Sequence, residues 1–149
     1  MKTHILTLLG SLAITASVLA HGDIELGPNG GRILEFSKNE TMHGEVTMQD
    51  GKFRIAVLDK DMKPVKLAAQ TLTASGGPTG KAAKLEVAKE GEQFVIPAVK
   101  SGEWLIVQYK DDAKAKAITA RMEYDLTICS ECKVAEWVCK CSANKEKKK

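Results

Sequence analysis

The chain predicts an all-β fold, a small antiparallel β-sandwich that is Ig-like in size and strand count. Three observations carry this. Short runs of alternating apolar and polar residues recur at sandwich spacing. Turn residues separate those runs. After the first twenty residues, no stretch has helical periodicity over a useful length.

Before the sandwich comes a leader. Lys2 supplies a positive start, Ile5 to Val18 is a short apolar run, and Val18-x-Ala20 has the small-residue form of a signal-peptidase site. The run is too short and wrongly flanked for a transmembrane helix, and no Cys follows it to carry a lipid anchor. Residues 1–20 therefore read as a signal peptide and the protein as exported to the periplasm, with no membrane span after cleavage. Cleavage after Ala20 makes His21 the new N-terminus. An α-amine and an imidazole on one residue can chelate a metal ion together, and nitrogen ligands of this kind suit copper(II).

What remains is roughly 130 residues, enough for one domain with a real core. The sandwich is expected over residues 21–126 and a Cys-rich, Lys-ended tail over 127–149. The net charge of +3 is unevenly placed. Six Lys and three Glu lie from Cys129 onward, and the body holds 15 basic against 16 acidic residues. No basic face argues for nucleic acid. Aromatic residues make up 5% of the chain, too few for a platform that stacks bases. Lys145 to Lys149 reads as a solvated end rather than a binding patch.

The strands follow in order. Arg32 to Phe36 comes after a Gly27-Pro28-Asn29-Gly30-Gly31 turn. His43 to Met48 and Phe53 to Leu58 flank Asp50-Gly51, a strong hairpin signal. Gln70 to Ser75 and Ala83 to Lys89 flank a glycine-rich loop. Glu92 to Ile96 and Trp104 to Lys110 follow, with Trp104 expected in the core, and Lys116 to Tyr124 is the last long strand. A two-residue turn at Asp50-Gly51 pairs Met48 with Phe53, Val46 with Ile55 and Gly44 with Val57 on one apolar face. His43, Glu45 and Thr47 then share the other face, away from the core. His43 and Glu45 are candidate metal ligands there, and an ordinary surface His is the competing reading. A His, a carboxylate and the His21 chelate would make a copper(II) or zinc set.

The second candidate site is Cys129-x2-Cys132-x6-Cys139-x-Cys141. Paired thiols suit zinc or copper(I). The spacing is too tight for a standard zinc finger, while a compact four-thiolate site fits. In an exported protein an even number of Cys also reads as disulfides, with pairs crossing between the two halves. Both chemistries stay open at this stage. Trp137, between the halves, is read as ordinary packing, with covering the cluster or anchoring it on the sandwich as the functional alternative. Met42, Met48, Met62 and Met122 are scattered and read as packing.

Three segments carry a resemblance: Gly27-Pro28-Asn29-Gly30-Gly31-Arg32-Ile33-Leu34-Glu35, then His43-Gly44-Glu45-Val46, then Val57 to Val65 with its Leu58-Asp59-Lys60-Asp61-Met62-Lys63-Pro64 core. Together they resemble a group of small exported bacterial proteins, also found as an N-terminal module of periplasmic adaptor subunits of heavy-metal efflux pumps. The likeness spans roughly residues 22–110. It implies a β-sandwich and a role in heavy-metal resistance, with an efflux-pump adaptor or other periplasmic protein as partner. His43 and Glu45 match that group's His-x-Glu pair. The group often carries a His just before Gly-Gly, where this chain has Asn29. A weaker likeness, to periplasmic copper-resistance sandwiches with an N-terminal His, covers only His21 and the fold size. The chain is expected to be a binding protein that buffers or delivers copper or zinc, not an enzyme. A non-metal envelope interaction module with a disulfide-stapled tail is the alternative.

Overall fold

The computed structural model describes residues 24–141. The expected signal peptide and His21 lie outside the described residues, as does the chain from 142 onward. Among the described residues, nine strands form two antiparallel sheets. They are β1 (Arg32–Glu35), β2 (Met42–Gln49), β3 (Lys52–Asp59), β4 (Thr71–Gly77), β5 (Ala83–Leu85), β6 (Ala88–Glu90), β7 (Gln93–Pro97), β8 (Glu103–Lys110) and β9 (Ile118–Tyr124). One sheet runs β1-β2-β3-β7-β6 and the other β5-β4-β8-β9. Their inner faces supply one core, in which Phe53, Ile55, Phe94, Leu105, Val107, Tyr109 and Met122 are almost completely buried.

The first hairpin has the expected register. Gly44 pairs with Val57, Val46 with Ile55 and Met48 with Phe53. Asp50 and Gly51 take φ of 51° and 72°, the left-handed pair that a two-residue turn between twisted strands requires. The predicted strand Ala83 to Lys89 is two strands. β5 pairs with β4 in one sheet, the chain crosses over at Glu86 and Val87, and β6 pairs with β7 in the other. Alternation marks extended chain but does not say which sheet a residue joins, so a change of sheet leaves no trace in the pattern. Trp104 is half-exposed rather than in the core. Its ring lies on the outside of β8 with the Arg121 guanidinium 5.6 Å from its centre.

Aromatic rings close the sandwich at both ends. Phe36 stacks on Tyr109 with centroids 4.5 Å apart at one end. At the other, Tyr124 meets Phe53 edge-on at 4.9 Å and Trp137 at 5.3 Å. Trp137 belongs to the short 3-10 turn Glu136–Val138, so the tail is docked on the same core as the sheets.

Candidate metal centre

The tail is built by backbone hydrogen bonds just beyond β9. Trp137 N donates to Asp125 O (3.0 Å) and Glu136 N to Thr127 O (2.9 Å). Inside that pair, Cys129 N donates to Val134 O (2.9 Å) and Lys133 N returns a bond to Cys129 O (3.1 Å). Ile128 and Ala135 bridge as an isolated antiparallel pair. The reversal needs one left-handed residue, Lys133 at φ 61°. From the sheet side, Arg32 Nη1 donates to Trp137 O at 3.2 Å. The loop that carries Cys129 and Cys132 is thereby folded back on the segment that carries Cys139 and Cys141.

This closure gathers the four sulfurs. All lie within 4.8 Å of one another, and Cys132 Sγ is 3.4 Å from Cys139 Sγ. Zn–S bonds of about 2.3 Å in a tetrahedron place sulfurs about 3.8 Å apart, and sulfurs all within 4.8 Å of one another are close enough for one ion to gather them. Cys129 and Cys139 are buried, Cys141 is half-buried and Cys132 is exposed. All four are free thiols.

The surroundings stabilise thiolate at Cys129. The backbone N–H groups of Cys132 and Glu131 donate to the Cys129 sulfur, with the Cys139 thiol adding a third bond, and bring the Cys129 thiol down to about 7. Cys141 N donates to Cys139 Sγ at 3.3 Å. Burial nevertheless pushes the Cys139 thiol up. The Cys132 sulfur does the same to Cys141, which with burial rises to about 12. One sulfur is thus prepared as an anion, while Cys139 and Cys141 resist further negative charge. A soft cation among them offsets that charge.

The other candidate pair is placed differently. His43 and Glu45 point away from the sandwich core as the register requires, but the surface expectation is overturned, because both are buried at 4% and 1% exposure. The N-terminal loop covers Glu45. Glu45 accepts hydrogen bonds from Asn29 N (2.7 Å), Asn29 Nδ2 (2.8 Å) and Gly31 N (3.1 Å). A side chain at Gly27 or Gly31 would collide with the Glu45 carboxylate or its stem. The Gly-rich turn and the Glu are therefore two halves of one lock. Asn29, which stands where the resembled group often has His, donates twice to that lock. His43 Nδ1 lies 3.0 Å from Glu35 Oε1 on the neighbouring strand. Gly44, between His43 and Glu45, leaves room for the Phe36 ring. Among the described residues, the four cysteines form the group of three or more potential ligands that meets at one point, and His43 and Glu45 are not joined to a third.

The third segment of the resemblance is also a structural turn. Asp59 Oδ1 accepts from Asp61 N (2.8 Å) and Lys63 N (2.9 Å), and these bonds hold the Asp59 carboxyl below its usual range. Sequence reasoning read the cysteines as a site directly from their spacing. It missed the burial of Glu45, whose only signal was a loop rich in Gly upstream. No family model, curated protein or solved structure matches the chain.

Proposed function

We propose that this is an exported metal-binding protein that holds one soft metal ion on the thiolates of Cys129, Cys132, Cys139 and Cys141. The observation that carries it is the gathering of four free sulfurs within 4.8 Å on a loop closed by backbone hydrogen bonds. A set of four thiolates and no other ligand suits zinc, and copper(I) is the competing ion for the same ligands. Export to the periplasm rests on Lys2, the apolar run to Val18 and the Val18-x-Ala20 site. A role in heavy-metal resistance, with handover to an efflux adaptor or other periplasmic protein, rests on the resemblance of residues 22–110.

A buffering or delivery protein must release what it holds. Buried Cys129 and Cys139 anchor the ion, while exposed Cys132 offers an incoming ligand a sulfur to displace. That division favours exchange over a closed structural site. The reading is of a binding protein and not an enzyme. The cleft of about 230 Å³ lined by Phe36, Lys38, Tyr109 and Lys116 lies at the other end of the β8–β9 hairpin from the cysteines.

A second reading has one observation in its favour. Cys132 and Cys139 are adjacent across the two halves, so the tail is also arranged to form a crossed disulfide. Zinc titration of reduced protein against a competing chromophoric chelator separates the two. One tight site per chain, abolished in Cys129→Ser, supports the metal reading. No zinc uptake by fully reduced, folded protein would sink it.

A further inference from the structure

The two chemistries open to the tail draw on the same sulfurs. Metal binding uses Cys129, Cys132, Cys139 and Cys141, which are free thiols within 4.8 Å of one another. A crossed disulfide uses Cys132 and Cys139, whose sulfurs are 3.4 Å apart. A disulfide S–S bond is about 2.05 Å long, so closing it asks for a shift of roughly 1.4 Å. Side-chain torsions deliver movements of that size without a change of backbone.

These two sulfurs stand in different surroundings. Cys132 is exposed on the loop, between Glu131 and the left-handed Lys133. Cys139 is buried at 0% exposure, and Cys141 N donates to its sulfur at 3.3 Å. Its backbone is held where the 3-10 turn ends, with Cys139 N donating to Glu136 O at 3.1 Å. Cys129 is buried as well, and Cys141 is half-buried. A thiol reagent in solution therefore meets Cys132 first, with Cys139 standing directly behind it. This is the placing of an attacking thiol and its resolving thiol. Cys139 and Cys141 are a poor pair by comparison, because one intervening residue strains the bond.

We propose that the metal site is gated by thiol–disulfide exchange, in which a low-molecular-weight disulfide joins Cys132 to Cys139 and the ion is expelled. This release step rests on the metal reading above. The Cys132 sulfur attacks one sulfur of the reagent RS–SR. The reagent's S–S bond breaks, the first RS⁻ leaves and Cys132 carries a mixed disulfide. The Cys139 sulfur then attacks the Cys132 sulfur, forms the Cys132–Cys139 bond and displaces the second RS⁻. Two electrons pass from the two cysteines to the reagent, and both RS⁻ take their protons from water. Two of four ligands are then withdrawn. Cys129 and Cys141 remain, and a pair of thiolates holds a soft ion far more weakly than four. The backbone bonds Cys129 N to Val134 O and Glu136 N to Thr127 O involve no sulfur, so the frame outlasts the change and reduction restores the site. Thiol and disulfide are two states of one centre, loaded and emptied.

The test uses the full chain, reduced, loaded with zinc, freed of reductant and treated with oxidised glutathione. Released zinc is read with a chromophoric chelator, and the remaining thiols are alkylated and mapped by peptide mass spectrometry. Cleavage after Arg121, Lys133, Lys140 and Lys145 leaves Cys129 and Cys132 on one peptide, Cys139 on a second and Cys141 on a third. Release is expected to keep pace with the Cys132–Cys139 bond and reach about one ion per chain, and dithiothreitol should restore uptake. Cys132→Ser loses a ligand and binds less tightly. The zinc it does hold should nevertheless resist the oxidant, with oxidant-dependent release slowed more than about tenfold against the same variant left untreated. A first bond between any other pair, zinc retained after the Cys132–Cys139 bond has formed, or oxidant-dependent release from Cys132→Ser at the parent rate each overturns the proposal. A reduced, folded chain that takes up no zinc defeats the metal reading and the gate with it, and that outcome is seen before any oxidant is added.

Discussion

Cys129 and Cys139 are the buried sulfurs of the site, and Ser in either place removes a ligand that no neighbour can replace. Losing an outer partner of a metal ligand costs about 10–100-fold in affinity, so losing a ligand should cost more than about a hundredfold. Competition titration of zinc into Cys129→Ser and Cys139→Ser measures this directly. Cys132→Ser tests a different quality. It leaves the anchoring sulfurs in place, so rapid transfer to a thiol chelator should slow relative to the affinity lost. Outside the tail, Glu45→Ala strands the Asn29 and Gly31 donors under a loop, which should cost about 1–3 kcal/mol in a urea melt while zinc stoichiometry stays at one. That result would separate Glu45, a structural lock, from the cysteines. At this scale the sequence showed the cysteines openly, because close thiol spacing is rarely accidental. It showed the direction of Glu45 but not its burial, since the loop that covers it reaches back across sixteen residues to meet it.

At the scale of the element, the metal loop works because two short segments exchange backbone bonds around Lys133 and present N–H groups to sulfur. The pH dependence follows from those thiols. Cys139 and Cys141 are raised, so near neutral pH they carry protons that zinc must displace, while Cys129 at about 7 is already partly ionised. Zinc binding should therefore release protons, and affinity should fall as pH falls, most steeply below about 7 where Cys129 also protonates. Calorimetry in two buffers of different ionisation enthalpy checks the proton count. Affinity independent of pH from about 6 to about 8, across the Cys129 value, would place the metal on other ligands. The elements themselves were legible where alternation and a turn signal coincide, as in β2, Asp50-Gly51 and β3. They were not legible at Glu86 and Val87, where extended chain passes from one sheet to the other. The 3-10 turn at Trp137 is too short to leave a periodic signal.

Across the whole molecule, the tail and the sandwich share the Trp137–Tyr124–Phe53 contact yet depend on different forces. The sandwich rests on the buried side chains of eight or more residues from both sheets, whereas the tail rests on a few backbone bonds and its ligands. Stripping the metal should leave the sandwich folded, with its thermal transition lowered by a few degrees, and should release amide-exchange protection at Cys129 and Lys133 first. Global unfolding on metal removal would instead make the ion part of the core. The Phe36–Tyr109 end should respond to neither metal nor tail variants. Gly44→Ala, which drives a methyl into the Phe36 ring, should cost about 1–3 kcal/mol there and leave zinc binding intact in the same titration. The fold class was readable because β-sandwich patterning is local and repeated. The docking of the tail was legible only as one alternative for Trp137, because it depends on that ring meeting residues distant in sequence. The central claim is four thiolates on one ion, and native mass spectrometry of protein recovered from a bacterial periplasm addresses it most directly. One zinc or copper per chain is expected in the native spectrum and four free thiols in the denatured one. A chain with two disulfides that takes up no metal, even after reduction and metal addition, would contradict it.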